Sequence, residues 1–484
     1  MKRYSVKPRL TNSKHFLVGH QGNLKDHLFI GRLGEAGPIV NVDFDLSTPH
    51  VVAIFGKRGS GKSYTLGSFL EGLCTQQKKT TISDISRSHA VLVFDTLGIF
   101  QWLNVPLTEN SPQKLIQEQA SIQRGWDIKS EPLDVEIWAP RGTSTLEHAK
   151  EFTVNCSDFT ASDWGYLFGV DILQDRMGQL LNDVYEKVAN EGWSDGSTVH
   201  PPKSKYAIED LIDCIQRDQE LLSNYHSETR RAVLQLLYVY WRNPLFQPKR
   251  RPSGASTSPD LGEIAQEECK AYETSEGTAL NDLLKPGKLS VLLLHKMSDE
   301  LRLMVIVSLS RKIMQARIQT AEVEKDLKIR GNLSEQEKDR MQKIVTQEVP
   351  PTWIVADEAQ NFLPSERKTS ATDTLVRLVR EGRNYGLSFM MTTQQPTAID
   401  QRILAQVDTL IVHKLSVQGD IEYVKRNLKS ELPEEIQYGN SKLTFDGLLR
   451  SLDIGQAVIS DTESDRAFIL DVRPRISVHG GFGI

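Results

Sequence analysis

The chain has 484 residues, of which 39% are hydrophobic and 25% are charged. Such values exclude a mainly disordered or collagen-like chain, and the length predicts two or three domains. The net charge is −5, because 58 basic side chains face 63 acidic ones, so the whole chain is not a basic protein that coats nucleic acid.

The N-terminal segment differs in charge from the rest of the chain. Residues 1–32 contain seven basic side chains and one acidic side chain, Asp26, so their net charge is +6. These basic residues are Lys2, Arg3, Lys7, Arg9, Lys14, Lys25 and Arg32. The segment could be an arm that binds phosphate or an acidic partner, or a solvated tail, and the sequence leaves both open.

Neither a membrane span nor a secretory signal is predicted. The longest apolar runs, such as Leu289–Leu294, are strand-sized, whereas a span needs about 20 residues. The cysteines are too far apart for a metal-ligand pair, and a disulfide framework is not expected in a chain of this size. We therefore expect a cytoplasmic protein with reduced thiols at Cys74, Cys156, Cys214 and Cys269.

The first predicted elements open a parallel α/β unit. A β-branched run at His50–Phe55 predicts a strand that ends at a glycine, and apolar spacing over Tyr64–Cys74 predicts a helix. A second strand is predicted at Ala90–Phe94, directly before Asp95, and a further candidate lies at Val135–Trp138. Strand, glycine loop and helix in this order are typical of parallel α/β proteins.

The middle of the chain changes to helical spacing. Residues 157–285 predict a helical insertion, and residues 247–260 within it predict a loop rich in Pro, Ser and Gly. Residues 317–347 indicate either a solvated helical excursion or a disordered loop. Buried strands are predicted at Leu289–Leu294, Trp353–Ala356, Leu387–Thr392 and Thr409–His413, followed by two in the tail at Gln456–Ser460 and Arg466–Val472.

Five segments follow from this pattern. We predict a short N-terminal β segment or arm (1–48), a core in two parts (49–156 and 286–455), a helical insertion (157–285) and a β-rich C-terminal tail (456–484).

Residues 56–63 match the pattern G-x-x-x-x-G-K-[ST] without exception. Its glycines let backbone N–H groups surround a β-phosphate, and the helix that follows adds its positive N-terminus. Lys62 would reach the β- and γ-oxygens, and the Ser63 hydroxyl would ligate Mg²⁺. The pattern therefore predicts ATP binding by Gly56, Lys57, Arg58, Gly59, Ser60, Gly61, Lys62, Ser63 and Tyr64.

Two acids follow the predicted strand Trp353–Ala356. Asp357 would hold the Mg²⁺ shell, and Glu358 would polarise the attacking water. The alternative is a capping pair that opens the next helix. Gln394, at the end of another strand, could bridge the γ-phosphate and the water. Asp95 could position water or cap a loop, and spacing does not separate the two roles.

Three arginines precede the strand that leads to Gln394. Arg377, Arg380 and Arg383 lie at i, i+3 and i+6, near the rim of the sheet. A neighbouring subunit's arginine can offset charge that develops on the γ-phosphate. For Arg377 we expect only a solvated helix face with salt bridges. The predicted catalytic residues are Lys62, Asp95, Glu358, Arg380, Arg383 and Gln394.

Together these motifs resemble those of the HerA-type ATPases, in the FtsK–HerA branch of P-loop motors. The resemblance rests on the run from His50 to Ser63, on Asp357-Glu358-Ala359-Gln360, and on residues 380–388 leading to Thr393-Gln394-Gln395-Pro396. It implies an α/β fold with a RecA-like P-loop core. It also implies a hexameric ring that threads double-stranded DNA, places Arg383 at the subunit interface, and works with a nuclease or another effector subunit.

The chain departs from the family pattern at three points. Gln360 replaces a histidine, Gln395 stands where an arginine is common, and only 55 residues precede the glycine loop. The short N-terminal part favours a partner-bound motor, in phage defence, over a standalone repair helicase. Two hypotheses remain: a DNA-translocating ring, or a nucleotide-dependent assembly platform that activates a partner. Duplex DNA should stimulate ATP hydrolysis by the first. A coupling motor of the conjugative type is disfavoured because such motors usually carry membrane spans.

Overall fold

The computed structural model describes residues 15–19, 26–34, 39–86, 89–123, 125–143, 146–246, 277–331, 333–365, 370–428, 436–438, 441–462 and 466–481. Six of the seven basic residues of the N-terminal segment, all except Arg32, lie outside these ranges, and so does the predicted loop at 247–260.

The strands, in chain order, are β1 (His15–Val18), β2 (His27–Leu33), β3 (Asn41–Asp45), β4 (Val51–Phe55), β5 (Ser83–Asp84), β6 (Ala90–Asp95), β7 (Val135–Pro140), β8 (Lys150–Phe152), β9 (Trp193–Ser194), β10 (Val199–His200), β11 (Leu289–Leu293), β12 (Thr352–Ala356), β13 (Leu387–Thr393), β14 (Thr409–Val412), β15 (Ile436–Tyr438), β16 (Ser441–Leu443), β17 (Gln456–Asp461) and β18 (Arg466–Val472).

The α-helices are α1 (Lys62–Leu73), α2 (Lys114–Ser121), α3 (Ala161–Phe168), α4 (Arg176–Glu186), α5 (Ile208–Arg217), α6 (Gln219–Asn224), α7 (Ser227–Trp241), α8 (Leu280–Leu283), α9 (Asp299–Ile329), α10 (Glu335–Gln347), α11 (Ser370–Glu381), α12 (Gln401–Leu404), α13 (Gln418–Asn427) and α14 (Phe445–Ser451). No helix within the described ranges combines the length and the apolar character that crossing a bilayer requires.

The backbone divides into two compact units. The first comprises Met1–Ile137, Leu283–His295 and Ile313–Ile484, and the second comprises Trp138–Asp282 and Lys296–Lys312. The domain boundaries predicted from the sequence stay a prediction.

The first unit is built on one sheet with the strand order β1-β3-β2-β18-β17-β14-β4-β13-β12-β6-β11. From β14 to β11 every neighbouring pair is parallel. All residues of β4, β6, β12 and β13 are buried, as expected for parallel strands covered on both faces. The predicted α/β, RecA-like P-loop core is therefore confirmed.

Strands from both ends of the chain extend this core. β17 pairs with β14 and with β18, and β18 pairs with β2, all antiparallel. The N-terminal strands and the C-terminal tail thus belong to the core sheet, because tail strands connect β1–β3 to it. The sequence predicted the two tail strands and, for residues 1–48, only a short β segment or arm, and it gave no information on the neighbours of any of them.

A buried ion cluster, here called the Glu71 cluster, ties the C-terminal segment to the helix that follows the glycine loop. Glu71 on α1 contacts Arg473 Nη1 at 3.0 Å and Arg475 Nε at 3.1 Å. Its carboxylate also accepts from the backbone N–H groups of Ile476 and Ser477. All three charged side chains are fully buried. The cluster fixes α1 to residues 473–477.

The second unit is mainly helical. Thr160 and Asp163 form a reciprocal cap at the start of α3. Asp163 also accepts two hydrogen bonds from Arg311, each 2.9 Å long. Stacked aromatic rings, among them Trp164 and Phe246, lie close to this cap. These contacts stabilise helices in the segment for which the sequence predicted helical spacing.

The charged segment 317–347 is helical, in α9 and α10. The prediction that this segment is solvated is wrong at its start, because Arg317 is only 1% exposed. Its guanidinium donates to the carbonyl oxygens of Tyr385 and Val349 and to Glu324. Tyr385 and Val349 are 68 and 32 residues away in the sequence, so periodicity could not reveal these two contacts.

Candidate functional site

The predicted functional residues lie close together because the C-terminal ends of neighbouring parallel strands lie side by side. Thr393 is paired with Phe55 across β13 and β4, so β13 ends level with the start of the glycine loop. Ala356 is paired with Met391 on one side and with Phe94 on the other. Asp357, Glu358, Gln394 and Asp95 therefore leave the sheet at the same edge as the loop.

The glycine loop adopts backbone angles that favour glycine. Gly59 has φ 75° and Gly61 has φ 108°, both in a region that side chains with a Cβ rarely occupy. The Ser60 N–H and hydroxyl both donate to the carbonyl oxygen of Lys57, at 3.2 and 2.8 Å, and close the loop. α1 begins directly afterwards, at Lys62. The arrangement presents a loop and a helix N-terminus, as an anionic phosphate requires.

Lys62 is buried beneath the loop, and Nζ donates to the Lys57 carbonyl oxygen at 3.2 Å. Burial lowers the pKa of Lys62, and the nearby Glu358 and Asp357 carboxylates oppose that shift. Ser63 lies half-buried at the second position of α1. The Tyr64 hydroxyl accepts from the Arg475 N–H at 2.8 Å, so Tyr64 connects the loop to the C-terminal segment.

Asp357 is fully buried, and its two carboxylate oxygens differ in their hydrogen bonds. The Thr392 hydroxyl donates to Oδ1 at 2.5 Å, whereas Oδ2 has no hydrogen-bond partner among the described residues. Burial raises the pKa of Asp357 to about 7, and the Thr392 hydrogen bond opposes this shift. A buried carboxylate oxygen without a donor suits a cation, and the Ser63 hydroxyl supplies a second oxygen of the type that Mg²⁺ prefers.

Within the same described ranges, no cluster of three or more His, Cys, Asp or Glu side chains could hold a metal ion. Mg²⁺ sites in nucleotide-binding proteins usually combine one or two protein oxygens, such as the Asp357 carboxylate and the Ser63 hydroxyl, with nucleotide phosphates and water. The residues present therefore fit the predicted ion.

Glu358 follows Asp357 and points towards the end of β13. Gln394 Nε2 lies 2.5 Å from its Oε1, and Gln360 Nε2 lies 2.7 Å from its Oε2. The structure thus brings the two predicted residues Glu358 and Gln394 into direct contact. It places Asp357, Glu358 and Lys62 close enough for their charges to interact.

Asp95 binds the backbone of the loop that follows β6. Its carboxylate accepts from the backbone N–H groups of Leu97, Gly98, Ile99 and Phe100, at 2.8 to 3.2 Å. Burial raises the pKa of Asp95, and these four amide hydrogen bonds oppose the shift. The geometry favours the loop-capping alternative, and we propose that role in place of the catalytic one.

The predicted arginines come before β13, so they lie towards the N-terminal ends of the parallel strands, whereas the glycine loop lies at the C-terminal ends. Arg383 is in a 3₁₀ turn, Gly382–Tyr385, that precedes β13, and its Nη1 donates to Asp408 at 3.1 Å. β13 has seven residues and therefore spans about 20 Å. Arg377 and Arg380 both pair with Glu381. Neither Arg380 nor Arg383 approaches the nucleotide loop of its own chain.

His413 is a site residue that sequence reasoning missed. It follows β14, and its Nδ1 donates to the Gln456 carbonyl oxygen while its Nε2 accepts from the Thr65 hydroxyl, both at 2.8 Å. Burial lowers its pKa to about 4, which keeps the ring neutral. Its side chain also packs against the position of Gly56. A polar residue at the end of an apolar strand was the available signal.

A family model described as the central domain of helicase HerA (DUF87) matches residues 28–313, more than half of the chain. This chain belongs to the HerA family. The resemblance inferred from the motifs is therefore confirmed.

Curated relatives carry the same family name. The DNA double-strand break repair helicase HerA of Pyrococcus furiosus is 23% identical over 395 residues, which are 79% of this chain and 60% of that protein. Its namesake from Sulfurisphaera tokodaii is 26% identical over 178 residues, 37% of this chain and 30% of that protein. The chain thus spans less than two thirds of the length of either relative.

Two solved structures are also similar. VirB4 of Thermoanaerobacter pseudethanolicus has a TM-score of 0.45 at 14% identity, covering 92% of this chain and 96% of VirB4. The bacterial conjugative coupling protein TrwBdeltaN70 has a TM-score of 0.42 at 11% identity, covering 93% of this chain and 91% of the solved chain.

Proposed function

We propose that this chain is an ATP-hydrolysing motor that assembles into a ring, a hexamer, and translocates on double-stranded DNA. The observation that carries the proposal is the meeting of Lys62, Asp357, Glu358 and Gln394 at one edge of the sheet, around a glycine loop. A phosphate-binding loop explains nucleotide binding alone. The carboxylate of Glu358 adds the group that hydrolysis requires.

Each residue has a distinct task in this proposal. Lys62 and the loop N–H groups hold the β- and γ-phosphates, and Ser63 and Asp357 hold Mg²⁺. The ion offsets negative charge on the phosphates when it is bound. Glu358 accepts a proton from the water that attacks the γ-phosphate, and Gln394 orients that water and the carboxylate.

The position of Arg383 supports assembly into a ring. Its turn lies at the edge of the sheet that the glycine loop does not occupy, about one strand length away. An arginine there could complete the site of a neighbouring copy, which would place it across a subunit interface. Arg380, which lies three residues earlier in the chain near the end of α11 and pairs with Glu381, is the second candidate.

The partners are proposed from the family. Relatives named repair helicases favour double-stranded DNA as the track, and the resemblance adds a nuclease or another effector subunit, with a role in phage defence. A location in the cytoplasm stays a prediction.

The test is ATP turnover by the purified chain, measured with and without linear duplex DNA at fixed salt concentration. We expect hydrolysis that rises with duplex DNA, together with DNA-dependent displacement of a third strand from a triplex. The Lys62→Ala variant should lose both. Hydrolysis that duplex DNA leaves unchanged would favour the assembly-platform hypothesis, and an absence of hydrolysis would overturn the ATPase assignment.

A further inference from the structure

Gln360 contacts the same carboxylate as Gln394. Its Nε2 donates to Glu358 Oε2 at 2.7 Å, while Gln394 Nε2 donates to Oε1 at 2.5 Å. Each oxygen of the carboxylate therefore has its own donor. Rotation of the carboxyl group would break both bonds, so the two amides together set the plane in which Glu358 faces a reacting water.

Gln360 is itself fixed from its other end. The Thr393 hydroxyl donates to Gln360 Oε1 at 2.8 Å, and the Gln395 N–H donates to Thr393 Oγ1 at 3.1 Å. A backbone N–H can only donate, so the Thr393 proton must point to Gln360. The carboxylate can only accept, so Gln360 must turn its NH₂ group towards Glu358. The chain of hydrogen bonds has one direction.

The backbone of Glu358 requires such support. Its φ of 53° and ψ of 55° lie in the left-handed region, which costs free energy for a residue with a Cβ. The Glu358 N–H donates to Thr392 Oγ1 at 3.1 Å, which anchors the backbone. This conformation aims the side chain at the end of β13, where the two glutamines hold it.

We propose that Gln360 is a positioning residue, which acts on ATP hydrolysis through Glu358 without touching the reacting atoms. This inference rests on the proposed function. Gln360 connects Thr393 at the end of β13 to Glu358 after β12, and so holds the carboxylate relative to the strand that also carries Gln394. Its removal should slow the chemical step and leave nucleotide binding intact.

The experiment compares Gln360→Ala with Gln360→His and with Gln401→Ala, an exposed glutamine at the start of α12 that serves as the matched control. For Gln360→Ala we expect kcat to fall about 10-fold or more, because a hydrogen bond to a charged group is lost, with KM and the Kd for ATP unchanged. Gln360→His should recover part of kcat, since a neutral imidazole has one donor and one acceptor nitrogen. Gln401→Ala should match the wild type.

A double-mutant cycle with Glu358→Gln separates positioning from a structural role. If Gln360 acts through Glu358, Gln360→Ala should cause no further loss of kcat in the Glu358→Gln background. Three results would each overturn the inference. The two substitutions could lower kcat by factors that multiply in the double variant, Gln360→Ala could keep the wild-type kcat, or Gln360→Ala could lose ATP binding together with kcat. The proposed function survives any of these results, provided that the wild type hydrolyses ATP and Lys62→Ala does not.

Discussion

Lys62 is the residue on which nucleotide binding depends most directly. Lys62→Ala removes the ammonium group that the loop buries beside the phosphate position, while the glycines remain. Charge-assisted hydrogen bonds contribute about 1.5–3 kcal/mol, so we expect ATP affinity to fall by about 10- to 100-fold, and hydrolysis with it. Titration with a fluorescent ATP analogue measures this. Lys114→Ala, on the exposed face of α2, is the control; affinity retained by Lys62→Ala would contradict the assignment.

A second prediction for a single residue concerns Glu358, whose substitution distinguishes ATP binding from ATP hydrolysis. Glu358→Gln keeps the size of the side chain and its capacity for hydrogen bonds but removes the base. We expect ATP to bind with unchanged affinity, while hydrolysis falls about 10²-fold or more. Binding and single-turnover measurements on one preparation provide the comparison. If the variant no longer binds ATP, Glu358 has a structural role at the end of β12.

At the scale of helices and strands, the Glu71 cluster holds α1 against the C-terminal segment. Glu71→Gln leaves Arg473 and Arg475 buried without their counter-charge. Breaking a buried ion pair in this way typically costs about 3–5 kcal/mol, and we expect a comparable fall in the free energy of unfolding. Urea denaturation measures it.

The matched control for this prediction is Glu118→Gln. Glu118 pairs with Lys114 on α2 at 3.5 Å in an exposed i, i+4 arrangement. Such pairs contribute about 0.5 kcal/mol or less, so this variant should unfold close to the wild type. Equal effects of the two substitutions would show that the cluster does not stabilise the sheet.

The basic N-terminal segment can be shortened without removing any strand of the described ranges. β1 pairs with β3, so a deletion must stop before His15. Removing residues 1–14 eliminates five basic side chains. If they form a docking arm, basal ATP hydrolysis should persist while binding of duplex DNA or of a partner weakens and becomes less dependent on salt concentration. Fluorescence anisotropy and pull-down experiments measure both; unchanged binding would favour the solvated tail.

At the scale of the whole molecule, Arg383 links oligomer and mechanism. Arg383→Ala should fold, bind ATP and assemble, yet hydrolyse poorly, because arginines supplied in this way contribute about 10³–10⁵ in rate. Mixing Arg383→Ala with Lys62→Ala chains should restore part of the activity, since some interfaces then combine an intact Lys62 with an intact Arg383. Turnover measured across mixing ratios shows this. Co-assembled mixtures that remain inactive would point to Arg380 or to a structural role.

Local patterns determined the core strands and the ligand chemistry. Runs such as Val51–Phe55 are apolar enough to be buried on both faces, and a glycine loop directly followed by Lys62 and a helix has few other uses. The C-terminal ends of parallel strands meet at one edge of a sheet, so Asp357, Glu358 and Gln394 could be grouped from the sequence.

Only the tertiary structure decided which contacts these residues make. The fixing of Gln360 between Glu358 and Thr393, the capping role of Asp95, and the placement of Arg383 at the far edge all depend on contacts between strands. The Glu71 cluster joins residues about 400 positions apart. Periodicity reports which face of an element is apolar, whereas these contacts depend on strand order and register, which long-range packing sets.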